Sequence, residues 1–261
     1  ILTKNNLLNI EIGSNHKFEK SYDYVLNNKC NYLIHNYFPV PRKSFVINIA
    51  SLDNIIRIRS LKQIKKSILF CKKSKAKLFT FHPGFLSDPD GEGNGEKRNY
   101  DFKWKKNFLK KNYIKSWENM IESIKIIVDF AKKQKVKIAI ETEGSINASD
   151  HLLMQKPNEY RKFKKIFKKE EVGINLNIGH LNLASKKFKF NKFEFINKIS
   201  DYIVAFECSH NYGKNDNHLP LKKKAWYWKV LKNNKYKNLP KILEFRHVGI
   251  KKILNSVKLF S

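Results

Sequence analysis

Arginine is scarce on the basic side of this chain: of 53 lysines and arginines only six are arginine, Arg42, Arg57, Arg59, Arg98, Arg161 and Arg246. Bidentate recognition of phosphate favours the guanidinium fork, so a net charge of +30 does not by itself mark a nucleic-acid reader. Lysine, asparagine and isoleucine are abundant together, as A/T-rich codons produce, and the excess charge is read first as solvated lysine faces. A polyanion-binding surface would lie instead along Lys164-Lys165, Lys168-Lys169 and the run from Lys222 to Lys224. Cysteine is also rare. Cys30, Cys71 and Cys208 are an odd number without metal-ribbon spacing, which argues against a disulfide framework and for a reducing compartment, the cytoplasm. No apolar run approaches the roughly 20 residues of a membrane span, so no membrane partner is expected. No Pro/Gly/Ser-rich linker or fixed-period repeat interrupts the 261 residues, and residues 1–261 are expected to form one domain, a size that α/β barrels reach undivided.

What the chain does have is a series of short runs of apolar and β-branched residues, five of them closed by a potential metal ligand. Tyr32-Leu33-Ile34 leads to His35, Leu78 to Phe81 leads to His82, Lys137 to Ile140 leads to Glu141, Tyr202 to Phe206 leads to Glu207, and Lys241 to Leu243 leads to Glu244. Asn9 to Gly13 and Gly173 to Asn177 fit the same pattern, which makes seven predicted strands. Helix-length stretches lie between most of them. Trp117, Met120, Ile121, Ile124, Ile127 and Val128 recur at helical spacing with lysines on the other face. Strands alternating with helices pair in parallel, and the expected fold is an α/β (β/α)8 TIM barrel. Seven strands are one short of eight. The chain opens at Ile1 with neither an initiator methionine nor a signal-peptide pattern, so the first strand is expected to be missing at the N-terminus, leaving residues 241–245 at an open edge.

In a parallel barrel the chemistry sits where the strands end and the following loops converge. Histidines and carboxylates brought there from different strands make up the ligand set of zinc, manganese and related divalent ions. The segment Asp88-Pro89-Asp90-Gly91-Glu92 superficially suggests a calcium loop, but Asn99 stands where the closing glutamate is needed. Residues 86–100 are read instead as a lid over the mouth, with hinge freedom at Gly91, Gly93 and Gly95.

Several of these segments resemble the xylose isomerase-like barrels, a superfamily that includes sugar-phosphate isomerases and epimerases and the endonuclease IV nucleases. Ile34 to Pro39 followed by Phe45 to Ser51 is similar to the nuclease-type segment around its first histidine. Phe81-His82-Pro83-Gly84, Ile140-Glu141-Thr142, Asn177-Ile178-Gly179-His180, Asp216-Asn217-His218-Leu219 and Leu243-Glu244-Phe245 follow the family order. The resemblance implies a divalent metal, Mn²⁺, Zn²⁺ or Mg²⁺. In trinuclear relatives the matching positions would group as His35, His82 and Glu141; as Glu141, Asn177, the residue ending the seventh strand and Glu244; and as His180, Asp216 and His218. Single-metal epimerases use the second group. This chain departs from the pattern in that group. Asn177 stands where aspartate is usual, and Glu207 stands where histidine is expected, with His210, three residues later, as the alternative ligand. Both changes favour a harder ion such as Mn²⁺ or Mg²⁺ over zinc.

The activity implied is isomerisation or epimerisation of a sugar or sugar phosphate through an enediolate, with Glu141 and Glu244 exchanging the proton and His180 orienting oxygen. Tyr37, Phe38 and Phe85 are candidates for the apolar wall of a sugar pocket, while Trp104 is expected in the core. The alternative is an endonuclease IV-like phosphodiesterase acting at abasic sites in DNA, in which case the partner is nucleic acid. A third reading is a barrel without catalytic function. The sequence leaves a homo-oligomer open.

Overall fold

The computed structural model describes residues 2–13, 16–89, 104 and 112–260. Within these, seven parallel strands form one sheet in strict chain order: β1 (Asn9–Ile12), β2 (Asn31–His35), β3 (Phe79–Phe81), β4 (Ile138–Glu141), β5 (Gly173–Asn177), β6 (Ile203–Cys208) and β7 (Lys241–Leu243). They build a barrel that is nearly closed. Among the described residues β7 and β1 have no partner across the remaining gap. Strands β3, β4 and β5 are buried along their whole length, whereas β1 is exposed at its start and β7 is half-buried throughout.

Eight α-helices among the described residues alternate with the strands. The long ones are α2 (Asn54–Ser74) and α3 (Tyr113–Gln134), and α1 (Asp23–Leu26) precedes β2. After β4 comes α4 (Pro157–Ile166), then α5 (Ile178–Phe188) and α6 (Lys192–Ile199) following β5, α7 (Trp228–Leu231) before β7, and α8 (Ile250–Val257) after it. Their ends are set by local chemistry. The Asp53 carboxylate accepts the Ile55 and Ile56 N–H groups at the start of α2, and α2 and α3 stop at Lys75 and Lys135 in the left-handed conformation. Met120, Ile124 and Ile127 of α3 are fully buried against the sheet, each contributing about 2 kcal/mol by leaving water.

Two apolar layers result. The larger fills the space between sheet and helices. The smaller, Leu78, Ala139 and Ala205 with Leu33, Val204 and Ile242, joins residues of β2, β4, β6 and β7, which can meet only inside the barrel. Because side chains alternate along a strand, the residue two or four places after each of Leu33, Leu78, Ala139, Ala205 and Ile242 also points inward, nearer the mouth. Those residues are His35, Thr80 and His82, Glu141 and Glu143, Glu207, and Glu244. A plug of small apolar side chains thus forms the floor on which the polar site rests.

Glycine is required at two places near the mouth. Gly84 has φ +92°, and a Cβ there would lie 2.7 Å from Asn48 Oδ1 and 2.8 Å from the Ala50 nitrogen. A Cβ at Gly144 would overlap the His180 carbonyl. The three cysteines are free thiols, and no helix among the described residues is long and apolar enough to cross a membrane. Of the expected lid, residues 90–100 lie outside the described residues.

Candidate metal and acid-base centre

The strand-end residues converge at the mouth of the barrel. Parallel register sets Asn177 opposite Glu207 and Glu141 opposite Asn175. Around Glu141, which is 1% exposed, stand three imidazoles: His180 Nδ1 lies 3.2 Å from Oε1, His82 Nδ1 3.4 Å and His35 Nε2 3.8 Å from Oε2. Glu141 Oε2 is buried and accepts no hydrogen bond. Ligand atoms of His35, His82 and Glu141 all lie within 4.8 Å of one another. Each histidine has an outer partner. His82 Nδ1 faces Glu143 Oε1 at 2.7 Å and His35 Nδ1 faces the Thr80 hydroxyl at 2.9 Å. Such partners fix the ring and raise the basicity of a metal-ligating imidazole.

A second group lies beyond β5. His180 in the first turn of α5 gives its Nδ1 hydrogen to the Thr142 carbonyl at 2.9 Å, and since a carbonyl cannot donate, Nε2 is the nitrogen turned to Asp216, 3.4 Å away. His218 Nε2 meets the same Asp216 Oδ2 at 2.6 Å, while its Nδ1 lies 3.0 Å from Glu244 Oε2. Ligand atoms of His180, Asp216 and His218 again fall within 4.8 Å, and Asp216 Oδ1 is buried without a partner. Asp216 and His218 hang in a loop closed at its base by paired backbone hydrogen bonds between His210 and Leu219. Arg246 Nη1 donates to the Asp216 carbonyl at 3.3 Å. Both groups fit a divalent cation by the chemistry of their donors and by the buried carboxylate oxygen each leaves unused.

Between them sits Asn177, fully buried. Its Oδ1 caps α5 by accepting the Gly179 and His180 N–H groups at 3.0 and 3.1 Å. Its Nδ2 donates to Glu141 Oε1 at 3.0 Å, Glu207 Oε2 at 2.9 Å and Glu244 Oε2 at 3.3 Å. Glu207 also accepts from Asn175 Nδ2 at 2.6 Å. A third candidate group, Glu11, His35 and Glu207, lies on the side of the open edge.

The electrostatics follow from this crowding. Burial works against charge at Glu141, but His82, His180 and His35 outweigh it and hold the carboxylate well below its usual range. Burial and the charges of Glu141 and Glu244 push both Glu207 and Glu11 well up. Burial would depress His82 and His218. Glu141 and Glu143 override it at His82, and Glu244 and Asp216 at His218, bringing each up to about 9. His35 is lowered, because burial there exceeds the pull of its carboxylates.

Most expected site residues therefore meet, and three do not. His210 packs edge-on against Tyr212 and Tyr227 and serves as the base of the Asp216 loop, so Glu207 rather than His210 reaches the carboxylate group. Phe38 is fully buried, wedged between Tyr22 and Phe70 at 4.5 and 5.1 Å between ring centres, because its strand-following turn points it at α2 rather than at the mouth. Tyr37 is buried as well, its hydroxyl accepting the Phe45 N–H at 2.6 Å. Trp104 differs from expectation in the other direction. It is half-buried and stacks on His151 at 4.6 Å with Phe85 against its edge at 5.3 Å, so the aromatic group in the loops after β3 and β4 is Phe85, Trp104 and His151. Sequence reasoning missed Glu11, Glu143, Thr80 and Asn175. The two-residue step along a strand, from Glu141 to Glu143 and from His82 back to Thr80, was the pattern that carried two of them.

This combination of barrel and polar mouth matches the family model of the xylose isomerase-like TIM barrel over residues 26–258, and the chain belongs to that family. Among solved structures it is similar to a D-tagatose 3-epimerase-like protein, at 19% identity and a TM-score of 0.70, with 98% of this chain and 88% of that one covered. It is also similar to D-psicose 3-epimerase of Clostridium cellulolyticum crystallised with D-tagatose, at 14% identity, TM-score 0.63, and 100% and 82% coverage. A protein of Thermus thermophilus soaked with ZnCl₂ matches at 13% identity, TM-score 0.60, and 91% and 80% coverage. At these identities the likeness is one of fold. No curated protein matches the sequence.

Proposed function

We propose that this protein is a divalent-metal-dependent isomerase or epimerase acting on a sugar or sugar phosphate by proton transfer. The observation that carries the reading is that Glu141, ending β4, and Glu244, following β7, approach the same Asn177 amide from different strands, at 3.0 and 3.3 Å. A metal held at His35, His82 and Glu141 or at His180, Asp216 and His218 would polarise a substrate carbonyl and its adjacent hydroxyl. The chain supplies the rest. The three imidazoles around Glu141 keep it anionic and ready to accept a proton from carbon. Glu244, with a side chain 41% exposed, faces the mouth and as the carboxylic acid delivers a different proton to the carbon from the other side, after which each carboxyl regains its starting form by exchange with water. His180 is held in one orientation by the Thr142 carbonyl, so its Nε2 stays on the oxygen-binding side. Trp104, half-buried and stacked on His151 with buried Phe85 behind it, is the aromatic face on which a sugar ring would pack. The similar epimerase structures support this reading as analogies of fold.

The test is exchange of the carbon-bound hydrogen with deuterated water across a panel of ketoses and their phosphates in the presence of Mn²⁺. Glu141→Gln and Glu244→Gln are each expected to slow exchange by roughly 100-fold or more with the far-ultraviolet circular dichroism unchanged. Retention of exchange in both variants overturns the proposal. The second reading, a phosphodiesterase acting at abasic sites, is favoured by the presence of two separate histidine-carboxylate groups and by the charge of +30. Steep salt dependence of binding to an abasic duplex would select it.

A further inference from the structure

We propose that the Asn177 amide is a permanent uncharged occupant of the point where Glu141, Glu207 and Glu244 converge, so that the mouth takes cations in the two flanking groups and none between them. The inference deepens the metal-dependent reading and rests on it for the flanking groups alone.

Three carboxylates from three strands meeting in the barrel interior ordinarily call for a cation. Here an amide nitrogen stands at the meeting point, 3.0, 2.9 and 3.3 Å from one oxygen of each. Its two hydrogens are fully used by those acceptors. The orientation of the amide is set from the other end: Oδ1 accepts two backbone N–H groups of α5, and rotating the group by half a turn would press NH₂ against two donors and leave three carboxylates facing an oxygen. The oxygen that could coordinate a metal is therefore committed to the helix, and the atom turned to the carboxylates is one that does not ligate hard or borderline cations. The helix contributes as well. The positive end of α5 acts on Oδ1 and polarises the amide, so that its N–H groups are stronger donors toward the carboxylates. Asn177 is fully buried and Thr142 holds its backbone, the N–H donating to Thr142 Oγ1 at 2.9 Å, so the residue is fixed at its main chain as well as at its amide. The flanking groups are built differently. Each leaves a buried carboxylate oxygen without a partner, Glu141 Oε2 on one side and Asp216 Oδ1 on the other.

The same geometry identifies the change that would open the middle position. Asn177→Asp keeps an oxygen for the α5 cap and replaces the donor NH₂ with a second oxygen among three glutamates, turning the middle position from a hydrogen-bond donor into an acceptor set that a cation can fill. The experiment measures metal per chain by mass spectrometry after gel filtration of wild type and Asn177→Asp loaded with Zn²⁺ or with Mn²⁺ alone, together with melting temperature before and after EDTA. The variant is expected to carry one more metal than wild type and to lose more thermal stability on chelation. Equal metal content in the two chains overturns the proposal. Glu207→Gln and Glu11→Gln in the wild-type background supply an independent reading: unchanged metal content is expected in Glu207→Gln, loss of one metal there but not in Glu11→Gln overturns the inference even if Asn177→Asp fails to fold, and a loss common to both places that metal at Glu11, His35 and Glu207, outside the closed position. The difference between chains tests the closed middle position, while the wild-type total tests metal dependence itself.

Discussion

The two histidine groups that flank Asn177 rest on different kinds of structure. His35, His82 and Glu141 stand at the ends of β2, β3 and β4, where the pleat sets their direction, and each histidine takes its outer partner from the next strand along, Thr80 of β3 for His35 and Glu143 just past β4 for His82. His180, Asp216 and His218 come from a helical turn and a loop. Their outer partners are largely backbone, the Thr142 and Glu244 carbonyls, and their positions depend on the His210–Leu219 bridge and on the close approach of Gly144 to the His180 carbonyl. Similar donor sets can thus be preorganised either by strand geometry or by a strapped loop, and the two should fail differently.

The largest separation is expected from removing one ligand on each side. His82→Ala should abolish metal binding in the first group and leave the second intact, and His218→Ala the reverse, each exceeding the roughly 10- to 100-fold loss that follows removal of an outer partner. Isothermal titration of the chelated protein with Zn²⁺ would resolve them. Loss of all metal in either variant would show that the groups are one coupled centre and break the comparison. A smaller effect is expected from Glu143→Gln, which keeps the His82 contact but weakens its acceptor. Affinity in the first group should fall by roughly 10- to 100-fold and by less in the second, where the other Glu143 oxygen lies 3.8 Å from His180 Nδ1; an equal fall in both would break the comparison.

The smallest effect is in pH dependence. In the metal-free protein His82 and His218 are each held up to about 9, above the 6.5 of an unperturbed imidazole. Their protonated forms therefore stabilise the fold fully below pH 6.5, and that contribution disappears as pH rises through about 9. The melting temperature of EDTA-treated protein should fall by a few degrees across this interval. Bound metal replaces those protons, so apparent affinity should rise across the same interval. A melting temperature that climbs with pH in EDTA would contradict the arrangement of charge around both rings.

The contrast between the groups also explains what could be read from the sequence. The seven strands and their ligands were legible because short, nearly continuous apolar runs of strand length, five of them closed by His35, His82, Glu141, Glu207 and Glu244, stand between helix-length stretches, and β5 falls at the predicted residues, Gly173–Asn177. His180, Asp216 and His218 close no such run and were visible only through resemblance. Phe38 and His210 were misplaced for a related reason. Each follows a strand end closely enough to be assigned to the mouth, but the turn after β2 sends Phe38 into the α2 packing, and the bridge to Leu219 makes His210 a strap rather than a ligand. Glu11 was overlooked because a single charged residue inside Ile10-Glu11-Ile12 reads as the solvent face of an edge strand. No local pattern shows which atom of Asn177 faces the glutamates, since that depends on α5 taking the oxygen.

The strict chain order of the sheet carries a consequence for how the molecule is assembled and how it opens. Every strand pairs with its neighbours in sequence, so each pairing closes only the loop of one intervening crossover, and no early strand has to wait for a late one. Such a sheet can grow outward from its most deeply buried strands, β3 to β5, and fray inward from β1 and β7. Glu11 lies on one of those edges and Glu244 just beyond the other. The carboxylate that faces solvent thus sits beside the strand that opens most readily, while its buried counterpart Glu141 sits on one that opens last.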